Sequence, residues 1–204
     1  MRQDQFSGAI AGAGSTSGVR VVVGRWDASP FGSFADVMVA EADGTRVLLA
    51  PDERVADFVS STYRFDRVET GPVAVSADWH VSAPGLELRL EIGPRTWLGH
   101  LLRLVPRRVA TSPRWARVTD PVARVVLSGV RTRGTAGNGR TESYGATDLH
   151  RIVALSGSWL GRDLGALAPV SPEPGFGFGS TPRAPSVTSL VTTVEQPGDA
   201  EMLD

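Results

Sequence analysis

A chain of 204 residues that is 41% hydrophobic, 21% charged and nearly neutral, at a formal net charge of -1, has the composition of one globular domain around a single core. It contains no cysteine, which excludes disulfides, thiolate nucleophiles and cysteine-bound metals, and all 21 of its basic residues are arginine, which excludes Schiff-base lysines, lysine general bases and phosphate-loop lysines. No apolar run reaches the roughly 18 residues needed to span a bilayer, and the N-terminus lacks the apolar centre of a secretory signal, so the expected location is the cytoplasm.

In chain order, residues 1–18 are rich in Gly, Ser and Ala and read as a flexible lead-in, with ordered structure expected from Val19. The β-branched run 19–23 suits a strand, and a second strand is expected around 34–41 after the break at Ala28-Ser29-Pro30. Asp43-Gly44, flanked by Val37-Met38-Val39 and Val47-Leu48-Leu49, is the best hairpin signal, because glycine accepts the positive φ of a tight turn. Pro51-Asp52-Glu53 then opens a short helix whose apolar residues Val55, Phe58 and Val59 recur at helical spacing.

Strand composition returns over 68–77 and 79–82, and Pro84-Gly85 turns the chain into Leu86-Glu87-Leu88-Arg89-Leu90-Glu91-Ile92, whose alternation predicts one face on a core and one in water. After Gly93-Pro94 the period becomes helical: Trp97, Leu98, Leu101, Leu102 and Val105 form an apolar stripe flanked by Arg95, Arg103 and Arg107. Ser112-Pro113 and Asp120-Pro121 each put a capping side chain before a proline, predicting two more short helices, the second ending near Gly129. Strand character resumes at Thr141 and continues to Leu155, as one bent strand or two. Residues 159–165 read as a turn or short hairpin, the proline-rich stretch 168–185 as a loop or edge segment, and 187–195 as a last strand. Residues 196–204 read as a flexible tail.

The expected fold is therefore mainly β (α+β): an antiparallel β-barrel-like or strongly curved sheet of roughly eight or nine strands, as one domain over 19–195, with a short-helix insertion at 95–128. A sandwich or open twisted sheet remains the alternative that periodicity does not separate. Charge is unevenly spread. Residues 95–140 hold ten arginines against one acid, Asp120, for about +9, while the remainder holds eleven arginines against twenty-one acids, for about -10.

The candidate chemistry is sparse. If 142–150 is a regular strand, Glu142, Tyr144, Asp148 and His150 share one face, and Tyr144, Asp148 and His150 form an acid/base set suited to cofactor-free isomerisation, hydration or cyclisation; if that face points outward, it is only a solvated surface. His80, His100 and His150 are too scattered for a metal site, and no cofactor is implied. The glycine-rich stretches at 134–139 and 175–181 lack the strand-to-helix context of a phosphate cradle, so Phe176 and Phe178 are read as plugging the mouth of the core or as a ligand lid. Asp27, Asp36, Glu87 and Glu91 could pair across strands, with salt bridging to arginine as the default.

The cationic segment has several readings. Arg95, Arg103 and Trp97 suit the rim of a site for a largely apolar ligand bearing an anionic group, so ligand binding is the leading expectation. A non-catalytic alternative presents the Trp97 helix to an anionic membrane surface or to a protein partner. Intramolecular packing, with the arginines answered by the chain's own acids, is the plainest. Nucleic acid is the least favoured partner, given a pI of about 6.3 and few aromatics among the arginines. Whether the protein is an enzyme, and its oligomeric state, stay open at this level.

Overall fold

The structure, a computed structural model, describes residues 2–110, 133–135, 141–177 and 181–196. Four strands open the fold as an antiparallel meander: β1 (Arg2–Ser15), β2 (Arg20–Ala28), β3 (Phe34–Ala40) and β4 (Arg46–Ala50). Helix α1 (Glu53–Ser60) then crosses to β5 (Arg67–Thr70), which pairs in parallel with β4. A second meander follows, β6 (Ala74–Val75), β7 (His80–Ala83) and β8 (Leu86–Arg95), leading into α2 (Trp97–Leu104) and α3 (Arg107–Ala110). The short strand β9 (Arg133–Thr135) precedes the long β10 (Thr141–Trp159), then come β11 (Arg162–Asp163), β12 (Leu167–Ala168) and β13 (Ser186–Gln196).

These strands form one open sheet in the order β5-β4-β3-β2-β1-β13-β10-β8-β7-β6, with β9 and β11 attached to β10 and β12 to β1. The sheet is strongly curved, a half-barrel. Its largest core cluster joins Val21, Val23, Val37, Val39, Val47 and Leu49 from one end of that order to Trp79, Val81, Leu86, Leu88, Leu90 and Trp159 from the other. Only a sheet folded on itself brings those side chains together, and β3 indeed lies against β6. The inside of the curve is therefore filled by packed side chains. The opposite, convex face carries α1, whose Val55, Ala56 and Val59 pack on Leu48 and Ala50 of β4.

Several elements follow their sequence signals directly. The Asp43-Gly44 turn joins β3 to β4, with Gly44 at φ 94° and the Thr45 amide donating to the Asp43 carboxylate at 2.9 Å. Asp52 caps α1 by accepting from the Val55 amide at 2.9 Å. Leu86, Leu88 and Leu90 are buried while Glu87, Arg89 and Glu91 are exposed. In α2 the apolar stripe divides: Leu98 and Leu102 are half-buried, whereas Trp97, Leu101 and Leu104 are exposed. The two helix starts at 112 and 120 lie outside the described residues.

The N-terminal lead-in is corrected. Residues 2–15 are not a loose arm but β1, hydrogen-bonded between β2 and β13 in the middle of the sheet. Its glycines and alanines alternate for a packing reason. Ala9, Ala11 and Ala13 are buried in the main cluster, where small side chains let the curved sheet close. On the other face, a Cβ at Gly12 would lie 1.9 Å from Thr181 Cγ2, and one at Gly14 would lie 2.2 Å from the Pro169 carbonyl oxygen. The loop after β12 lies directly against this strand, so the composition that resembles a linker is what close approach requires.

Candidate functional site

The convex face holds an aromatic cavity between the sheet and α1. Strand alternation supplies its floor: Phe6 and Ile10 from β1, Val22, Gly24 and Trp26 from β2, Phe34, Asp36 and Met38 from β3, and Thr192 and Val194 from β13. Phe58 and Val59 of α1, with Thr62 and Tyr63 just beyond it, form the wall, and Tyr144 of β10 completes it. The rings support one another, Phe6 lying 5.1 Å from Phe58 and 5.8 Å, edge-on, from Trp26. The cavity is small, about 60 Å³, against roughly 300–1,000 Å³ for drug-sized sites.

Its polar groups are few and specific. Asp36 is 3% exposed, and its Oδ1 accepts a hydrogen bond of 2.9 Å from Trp26 Nε1. Among the described residues no cation lines the cavity with it. Burial pushes the carboxyl up to about 6, against the opposing pull of the Trp26 hydrogen bond. Gly24 pairs with Asp36 across the β2–β3 ladder, and a Cβ there would stand 2.4 Å from Asp36 Oδ1 and 2.7 Å from Trp26 Nε1. The glycine thus makes room for the contact between carboxylate and indole. On the far wall the hydroxyls of Tyr63 and Tyr144 are 2.6 Å apart. Thr192, 5% exposed, has a buried hydroxyl oxygen with no hydrogen-bond partner among the described residues.

The residues singled out from sequence fall into two places, and a β-bulge separates them. In the ladder with β13, Tyr144 faces Thr192 and Ala146 faces Leu190, but Asp148 faces Ser189 and His150 faces Val187. The register shift between Ala146 and Asp148 inserts one extra residue, so the two-residue period that would align Tyr144 with Asp148 and His150 is broken. Tyr144 turns to the convex face with the aromatic cavity. Asp148 and His150 turn to the opposite face, that of the Val187 core.

There Asp148 meets Arg95. The guanidinium grips the carboxylate with two of its nitrogens, Nε to Oδ1 at 2.8 Å and Nη2 to Oδ2 at 3.0 Å, and the Leu149 amide adds a bond of 2.8 Å to Oδ1. His150 Nε2 stands 3.6 Å from Asp148 Oδ2, and its Nδ1 is 3.2 Å from the Gly93 carbonyl oxygen. Burial raises the Asp148 carboxyl, but the Arg95 hydrogen bonds, the Leu149 amide and the positive charges of Arg95 and His150 outweigh it, holding the group below the usual carboxylate range. The arrangement ties β8 to β10 and seats α2, whose N-cap Thr96 donates from both its amide, at 2.9 Å, and its hydroxyl, at 3.2 Å, to the Leu149 carbonyl.

The remaining candidates are spread out. Trp97 is 62% exposed and Arg103 is exposed on α2. Phe176 is buried at 7% and stacks on Phe65 at 5.7 Å, in the cluster that also holds Val22, Met38 and Tyr63, so it backs the cavity wall without lining it. Phe178 lies outside the described residues. Among the described residues no three His, Asp or Glu side chains gather as a metal site, and no helix is long and apolar enough to cross a membrane.

Asp36, Trp26, Tyr63 and Thr192 did not emerge from sequence as a set. One signal was available for Asp36: its strand is apolar at Ala35, Val37 and Val39 and also at Phe34 and Met38, so an acid between them is enclosed on whichever face it points to. Compared with protein families, curated proteins and solved structures, the chain shows no match.

Proposed function

We propose that this domain binds a small, uncharged and largely apolar molecule in the aromatic cavity on the convex face of its half-barrel. The observation that carries the reading is the combination of stacked rings with the enclosed Asp36 carboxyl and the unpartnered Thr192 hydroxyl. Aromatic walls supply non-directional affinity, whereas a buried hydroxyl without a partner has a cost that a ligand acceptor or donor removes. An anionic ligand fits poorly, because among the described residues the cavity offers a carboxyl and no cation, and Arg95 is already engaged by Asp148. Cofactor-free acid/base chemistry on such a ligand is part of the same reading.

Butanone titrated into isotope-labelled protein tests it. The Trp26 indole N–H and the Thr192 methyl should shift together, and Thr192→Val should weaken binding about 5-fold, the equivalent of one lost neutral hydrogen bond. Shifts concentrated at His150 and Arg95, or scattered over the surface, would move the site elsewhere and end this reading.

A second reading rests on a separate observation: Trp97, Leu101 and Leu104, spaced along one side of α2, are 62%, 50% and 78% exposed beside the exposed Arg103. That pattern suits shallow insertion into an anionic membrane surface. Co-sedimentation with phosphatidylserine-containing vesicles, lost in Trp97→Asp and in high salt, supports it; no binding at low salt sinks it.

A further inference from the structure

The same cavity supports a more specific assignment, which rests on the pocket reading above. We propose that Asp36 is the catalytic proton-transfer residue of a cofactor-independent isomerase acting on small ketones whose reacting carbon is activated both by the carbonyl and by a neighbouring double bond.

Three features of the site converge on this chemistry. First, Asp36 is an enclosed acid with one oxygen held by Trp26, which fixes the carboxyl plane, while no other described residue is bonded to its second oxygen. Asp36 lines the cavity, so that oxygen is the one open to an occupant. Second, the same cavity carries the buried, unpartnered hydroxyl of Thr192, which can donate to a carbonyl oxygen as it gains charge. Third, its walls are otherwise mainly apolar, so the carboxylate and the developing oxyanion are met largely by the fixed dipoles of the site.

The electrostatic surroundings keep the acid free of an ion pair. Of the elements packed around it, β2 sends Trp26 inward, while Arg25 lies on the opposite face, 4.7 Å over the Trp79 ring. Arg54 of α1 sits 5.6 Å over the outer ring of Phe31, and Asp57 of the same helix is exposed. β1 places the buried Asp4 one row further on, in register with Val194, and Glu142 of β10 holds the matching register position. Tyr63 and Tyr144 are the other titratable groups on the wall. Burial without a cation raises the carboxyl to about 6, which leaves it able both to accept a proton at neutral pH and to give it back.

The step balances without any co-reactant. The Asp36 carboxylate removes a proton from the carbon between the carbonyl and the alkene. The C–H pair becomes a new C=C bond, and the carbonyl π pair moves onto oxygen, which accepts a hydrogen bond from a wall hydroxyl. The neutral Asp36 acid then returns the same proton to the far carbon of the former alkene, and the oxygen pair re-forms the carbonyl. The product is the conjugated ketone. A carboxylate is a weak base, so a simple ketone is not acidic enough, and this restriction sets the substrate class. The small volume, about 60 Å³, further restricts the part that enters to a short chain.

Pent-4-en-2-one is the probe, with conversion to the conjugated pent-3-en-2-one followed by ultraviolet absorbance and binding followed by the Trp26 indole resonance. The expected result is conversion faster than in buffer, rising with pH through about 6 as the carboxylate forms, and reduced about 100-fold or more in Asp36→Asn while the indole still shifts. If Asp36→Asn does not fold, the pH–rate profile of the parent protein and the slower conversion by Thr192→Val carry the test. Binding with no conversion above buffer, or a rate independent of pH between 5 and 7, overturns the catalytic assignment and leaves the pocket reading standing. No shift of the indole at millimolar probe overturns both.

Discussion

Titrating the folded protein from acid to neutral pH should weaken it through Asp36, and the size follows from the site. The carboxyl has an ordinary value of 3.8 in the unfolded chain and is pushed up to about 6 by burial in the folded one, with only the Trp26 hydrogen bond opposing. Between these values the folded state holds a proton that the unfolded state has released. Stability therefore falls as pH rises, by about 1.4 kcal/mol per pH unit, and the loss is complete above the folded value at about 3 kcal/mol. The other shifted carboxylates act in a different window and with the opposite sign. Asp66, held at about 2 by Arg46, and the lowered Asp43, Asp78 and Asp148 stabilise the fold above their unfolded values and lose that contribution only as pH falls through their folded ones. Urea unfolding followed by tryptophan fluorescence, repeated between pH 4 and 7.5 for the parent and for Asp36→Asn, isolates the term as the difference between the two proteins. Asn retains an acceptor for Trp26 but cannot ionise, so its curve should lack the fall. A difference that stays constant across this range would refute the burial argument and the proton-transfer assignment built on the same carboxyl.

Other consequences are local. Thr192→Val replaces the unpartnered buried hydroxyl by a methyl of the same shape and should stabilise the unliganded protein by about 1 kcal/mol, read from the urea midpoint, at the expense of ligand affinity. Gly99→Ala should gain about 1 kcal/mol in helix propensity, yet its Cβ would lie 2.4 Å from the Leu149 carbonyl oxygen, so α2 must move off β10 and the net effect should be a loss of about 1–2 kcal/mol. Gly24→Ala should disturb the site more than the fold, since its Cβ falls 2.4 Å from Asp36 Oδ1; loss of the Trp26 indole hydrogen bond, seen as a shifted N–H resonance, is the measurement. Deleting Thr147, the residue between the shifted pairs Ala146–Leu190 and Asp148–Ser189, should remove the bulge yet leave Asp148 opposite Ser189 and His150 opposite Val187, on the face that holds Arg95; a folded product that keeps the Arg95–Asp148 pair is expected, checked by circular dichroism.

Much of the fold was legible because its elements are locally encoded. The Asp43-Gly44 turn, the Asp52 cap and the alternation from Leu86 onward each state their own geometry. β1 was not legible, because its meaning is tertiary. Ala9, Ala11 and Ala13 are small so that a curved sheet can close, and Gly12 and Gly14 are bare so that the loop after β12 can lie on them. Composition alone reads such a stretch as a linker. The arginine surplus behaved similarly: Arg95 is answered by Asp148, and Arg46 and Arg67 elsewhere by Asp66, Glu41 and Glu69, so for these residues charge imbalance along the chain becomes pairing in space.

The site was hidden by a single residue and by an assumption about which side of the sheet matters. A regular strand over 142–150 makes Tyr144, Asp148 and His150 neighbours, and the bulge at Thr147 sends them to opposite faces. The concave side of a half-barrel is the natural place to look for a ligand, but here it is filled by Val, Leu and Trp side chains drawn from both ends of the strand order. The proposed site lies instead on the convex side, where α1 covers strands that are apolar on both faces. An acid in such a strand is almost wholly buried, Asp36 being 3% exposed, and a glycine opposite it clears the space for an indole to bind it. Sequence patterning that assigns one wet face to each strand treats Asp36 as a surface charge; the helix lying across that face is what changes its chemistry, and α1 is therefore as much a part of the site as the strands beneath it.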